Sequence, residues 1–331
     1  MIARYPRRAM TAFRRRAVCS ALAVGLACAS SPEIDPRYRP SVSALEIIAV
    51  LERHVPDDTY RFEPARDFTD RNVYRSSLLR LENLEQLHAE ALRAGHLDGA
   101  IAFAKARSLE RLRAFDLAAD AYHIAAEREP ELRAEALRSA DLLDALHDAL
   151  SAPSPLAPAK PSEDRIGILA LPDADSALAR FEQRAARLEE LARAAEGTYH
   201  AYVLSEEIER LDLERARYFI RLRDVIPDGE LRAVSELQRV ALRHEQSKHA
   251  ARHLLALADL YADLSLEYVE EYPPEGLRFD PGEFRDLVDS GSRIYEMVAA
   301  RDGTPEKLEA ARRLEAFLAF ALSVDRDRFT P

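Results

Sequence analysis

Leu109–Pro130, LERLRAFDLAADAYHIAAEREP, is the stretch whose reading decides the fold. Within it Phe115, Ala118, Ala121, Tyr122 and Ala125 recur at three- and four-residue spacing, which places them on one side of a helix from Phe115 to Arg128. Ala118 and Ala125 let a neighbouring helix come close, while Phe115 and Tyr122 fill the space beside the small residues. Pro130 suits the first position of a following helix because its φ is already fixed. Upstream, Gly99–Arg111 reads as a helix capped by Asp98, with Leu112–Ala114 as the turn between the two. The stretch is therefore the second arm of a helical hairpin.

The rest of the chain agrees with helix. Ala, Leu, Arg and Glu dominate, only 10 of 331 residues are Gly, and runs of β-branched residues are almost absent. The expected class is all-α, and the length allows one large domain or two of ordinary size.

The hairpin resembles a tetratricopeptide repeat. Its second helix matches at Phe115, Ala118, Ala121, Tyr122, Ala125 and Pro130, whereas the first departs from the pattern, with Ala102 for Trp, Lys105 for Leu and Ala106 for Gly. A partial second copy follows from Glu131, with Ala140 and Leu143 in place. The resemblance implies helical hairpins stacked as a right-handed solenoid, with a two-lobed helical bundle as the alternative. On the presumed repeat face it points to Arg107, Arg111, Tyr122 and Arg128 as partner-binding residues.

The body divides into four segments by composition. Residues 41–150 form the repeat-like helical lobe and 151–175 a Pro/Ala-rich linker, which opens as SAPSPLAPAKP and contains an apolar strip, Ile166–Leu171. A second helical lobe covers 176–326, and 327–331 is a tail. In the second lobe a break is expected near Ser247. Tyr261, Tyr268 and Tyr272 ride a helix apolar on more than one face, which predicts a central position. Asp280-Pro281-Gly282-Glu283 reads as a helix start, and Gly291 inside that helix signals either close helix approach or a local break. Leu308, Ala311, Leu314, Leu318 and Ala321 are the expected inward face of the last helix.

Residues 1–28 have the parts of an export signal: a basic start containing six Arg and an apolar run, Ala17–Ala27, too short to span a bilayer. Leu26-Ala27-Cys28-Ala29-Ser30 resembles a bacterial lipobox, which implies Cys28 as the lipidated first mature residue and 29–40 as a tether. The alternative is cleavage after Ala29, giving a soluble periplasmic or secreted protein. Taken together, the chain resembles repeat-containing lipoproteins of the bacterial outer membrane that act as scaffolds. Other envelope proteins or peptide segments are the partners this implies, with the membrane reached through the anchor.

Charge narrows the partners further. The net charge is −11, and without residues 1–28 the remaining 41 basic and 58 acidic residues give −17. Such a body repels phosphate backbones, so nucleic acid is not expected as a partner. Cys19 and Cys28 are the only cysteines, which leaves none in the body for a disulfide or a nucleophile. No motif implies a cofactor. The alternative to a scaffold is a metal-binding or metal-dependent hydrolytic protein using His244, Glu245, His249 and His253, because His249 and His253 are four residues apart, as two imidazoles sharing a metal on one helix need. HEQSKH is one residue longer than the zinc-protease motif and is not that motif.

Overall fold

A computed structural model describes residues 63–94, 96–151 and 174–329. The export signal with Cys28, the tether and the Ile166–Leu171 strip lie outside the described residues. Ten helices account for the described chain, with no β-strand among these residues. They are α1 Val73–Ala94, α2 Asp98–Arg111, α3 Phe115–Arg128, α4 Arg133–Ser151, α5 Ala174–Ala194, α6 His200–Leu222, α7 Gly229–Arg243, α8 Ala250–Glu271, α9 Pro281–Ala299 and α10 Glu306–Phe329. The all-α expectation holds.

Each helix packs on the next in the chain, and α8 also meets α10. Such nearest-neighbour stacking is how repeat arrays bury a continuous core. Around α3 the sizes match the sequence pattern: Ala118, Tyr122 and Ala125 are fully buried and Phe115 nearly so. The close approach is real at Gly99 too, where an added Cβ would lie 2.6 Å from Glu129 Cβ. Asp98 is the first helical residue rather than the cap, a place held by Leu97; its carboxylate lies 3.6 Å from Arg128 at the end of α3.

Two apolar clusters meet along α6. Leu204, Ile208, Leu211 and Phe219 join the cluster built by α1–α5, whereas Ala216 joins the one built by α7–α10. The expected break falls at 244–249, between α7 and α8, and α8 packs on α7, α9 and α10 as its apolar circumference requires. Asp280 caps α9, accepting hydrogen bonds from Gly282 N at 2.7 Å and Glu283 N at 3.4 Å. The inward face of α10 differs from expectation. Leu308 and Leu318 are exposed, and Ala310, Phe317 and Val324 are buried instead. The reason is Gly291 on α9, whose missing side chain makes the notch that the Phe317 ring enters; a Cβ there would lie 2.9 Å from it.

Candidate functional site

Where α2, α4 and the α5–α6 corner converge, a buried polar group is assembled inside the first apolar cluster. Gly197 turns the corner at φ +77°, a value that favours glycine, and sets Tyr199 and His200 at the entry to α6. At the centre is Glu110, 1% exposed. Its Oε2 accepts the Tyr122 hydroxyl at 2.9 Å and the Tyr199 hydroxyl at 3.3 Å. Burial drives the Tyr122 phenol well above its ordinary pKa, and the Glu110 charge adds to this. Arg107 lies over the Tyr199 ring, 3.7 Å from its centroid, and donates to Glu135 Oε1 at 2.6 Å. His200 Nε2 is 3.9 Å from Glu110 and has no hydrogen-bond partner. Burial pushes its pKa down to about 4, so the ring is neutral near pH 7.

Beside this group a cavity of about 560 Å3 opens between α4 and the end of α5. Leu142 and Ala145 of α4 face Leu191 and Ala194 of α5 and Ala195 just beyond it, and polar lining comes from Ser139, Tyr199 and His200 with Glu135, Arg138 and Asp141.

A second constellation runs along α6, where Glu206, Glu207, Glu209 and Asp212 are all buried. Each has basic partners from distant chain. Arg113, in the α2–α3 turn, donates to both Glu207 oxygens at 2.7 and 2.6 Å. Glu206 accepts from Lys248 at 2.9 Å and Arg111 at 3.3 Å, and also from Arg210. Burial alone would raise the Glu206 carboxyl, but these cations outweigh it and hold the pKa at about 2. Glu209 pairs with His253 at 2.5 Å and accepts from Ser247 at 2.6 Å. Asp212 lies 2.8 Å from His244 Nε2 and accepts from Arg239 and Arg243.

The predicted site residues fall into these two places. Of the four assigned to the repeat face, Arg107, Arg111 and Tyr122 are interior side chains, and only Arg128 is exposed. They lie inside because neighbouring helices cover and pair them: Arg107 meets Glu135 of α4 and the Tyr199 ring, Arg111 meets Glu206 of α6, and Tyr122 meets Glu110 of α2. The structure brings His244, His249 and His253 together, with the His253 ring centroid 6.4 Å from each of the other two, but on either side of a corner rather than on one helix. Glu245 is exposed, and His244 and His253 face carboxylates of α6. Among the described residues no three His, Cys, Asp or Glu are grouped to hold a metal ion.

Sequence reasoning passed over Glu110, Ser139, Tyr199, His200 and the α6 carboxylates. One signal was available: Val203, Leu204, Ile208, Leu211, Leu213 and Ile220 stand on all sides of the helix that carries the four acids of Glu206–Asp212, so burying those apolar residues takes acids inside with them. Compared with protein-family models, curated proteins and solved structures, the chain matches none of them.

Proposed function

We propose that this chain is an exported, helical-repeat binding protein of the bacterial cell envelope. In this reading it is anchored through a lipid on Cys28, faces the periplasm from the outer membrane, and acts as a scaffold for other envelope proteins. The observation that carries the reading is the open, apolar-walled cavity between α4 and α5, of a size that ligand sites have and placed on an array of stacked helices. The lipobox-like residues Leu26–Ser30 support the anchor, and the tetratricopeptide-like packing of α3 supports a binding rather than a catalytic role.

Two measurements on intact cells test it. Membrane fractionation compares wild type with Cys28→Ser, and the variant is expected to leave the membrane fraction; equal retention removes the anchor. A photo-cross-linking residue at exposed Ala194 is expected to capture a defined envelope protein that the same residue at exposed Leu231 does not. Capture of the same proteins from both positions, or of none, ends the scaffold reading.

A further inference from the structure

The closed end of the α4–α5 cavity holds polar atoms that the chain itself leaves unpaired. Ser139 Oγ and His200 Nε2 belong to lining residues, are buried, and have no hydrogen-bond partner. Ser139 is 1% exposed and His200 6%. Behind them Arg107, 4% exposed, engages Glu135 through Nη2 while Nη1 has no partner. Buried polar atoms are nearly always paired. Two unpaired ones on residues that line an open cavity mark a place where an incoming group completes the set.

Charge and shape select the group. Two carboxylates, Glu110 and Glu135, stand against the guanidinium of Arg107 around Ser139 and His200, exposed Arg138 and Asp141 add opposite charges to the lining that offset each other, and His200 is neutral at pH 7 because burial lowers its pKa. An anionic head is repelled. A cation finds its place taken, since Arg107 already lies on the Tyr199 face and on Glu135. A bare hydrocarbon pairs with none of the polar atoms. An amide brings one donor and one acceptor and no charge, which suits a hydroxyl and a neutral imidazole. Lining residues of α4 run from Glu135 to Ala145, about 15 Å of helix, or the length of four to five extended residues.

We infer that the cavity seats an uncharged, apolar peptide segment of four to five residues from a partner protein. Its side chains lie against Leu142, Ala145 and Leu191, and a backbone amide pairs with Ser139 and His200. This rests on the binding-scaffold reading and adds to it the chemistry of what is bound.

The test pans the purified full-length chain against a phage-displayed random decapeptide library, then measures affinity for the selected sequence as an acetylated, amidated peptide. Enrichment of a run of four to five uncharged apolar residues is expected. Ala194→Trp, at an exposed lining position, is expected to weaken binding at least tenfold by filling the cavity without disturbing the core. Ser139→Ala, which removes one hydroxyl at nearly constant volume, is expected to weaken it about fivefold. Selection of charged peptides, or binding indifferent to Ala194→Trp, overturns the inference. So does a fatty acid bound in the purified chain and released by Ala194→Trp, or a cross-link from position 194 to residues 152–173 of the same chain. Absence of any selected peptide while Ala194 still captures an envelope protein sinks this inference and leaves the scaffold reading standing. Peptide binding with no captured envelope protein does the reverse.

Discussion

Tyr122 ties the packing of the hairpin to its buried charge, since one side chain fills the gap beside Ala118 and Ala125 and hands its hydroxyl to Glu110. Tyr122→Phe keeps the ring and strips a donor from a carboxylate sealed from water. Chemical denaturation is expected to show a loss of about 1–3 kcal/mol. His200 makes the fold sensitive to acid. Its folded pKa, about 4, lies below the ordinary 6.5, so the unfolded chain takes up a proton first. The associated stability is complete above pH 6.5 and is lost as pH falls towards 4, about 3 kcal/mol in all. Glu206 acts in the same sense lower down, between about 4.5 and 2. His200→Phe is expected to flatten the upper part of a stability–pH curve and leave the lower part; an unchanged slope between pH 6.5 and 4 would falsify the assignment to His200. The burial of Tyr122 was legible, because large and small residues alternate around it. That of Arg111 was not, because its partner Glu206 lies 95 residues away and nothing local distinguishes it from a solvated arginine.

Helix boundaries were legible for local reasons: Asp280 before Pro281 starts α9, and the polar run at 244–249 separates α7 from α8. The facing of α10 was not, because Leu308, Leu314, Phe317, Leu318, Phe320 and Leu322 leave apolar side chains on most of its circumference. Only the notch at Gly291 on another helix decides the matter. Gly291→Ala is expected to cost about 1–3 kcal/mol, as overpacking does, whereas Leu308→Gln at an exposed site stays within about 0.5 kcal/mol. Paired thermal melts of the two variants check this; equal effects would mean that Phe317 does not set the register of α10. The histidines fall under the same limit. Their spacing suggested one face of one helix, but the corner between α7 and α8 turns His244 and His253 towards the carboxylates of α6.

For the molecule as a whole, α6 is the element through which the two apolar clusters communicate. Stability in a stack is close to a sum of neighbour terms, so damage travels only as far as shared helices allow. Hydrogen exchange is expected to show that Leu211→Ala on α6 lowers protection in both α2–α4 and α8–α9, while Leu143→Ala on α4 lowers it mainly in α2–α4. If Leu211→Ala leaves α8 and α9 untouched, the two clusters are energetically separate. Membership of the clusters was out of reach of sequence, since residues 200–222 carry apolar side chains towards both. The row of carboxylates on α6 has a further consequence, for how such a chain diverges. Glu207→Arg alone would set a new guanidinium beside Arg113 and Arg210, and Arg113→Glu alone would set two carboxylates together. The exchange of both at once restores the pair, and the doubly changed protein is expected to melt closer to wild type than either single variant. Lineages of this protein are therefore expected to cross such positions in linked steps, with substitutions facing α6 inherited two by two.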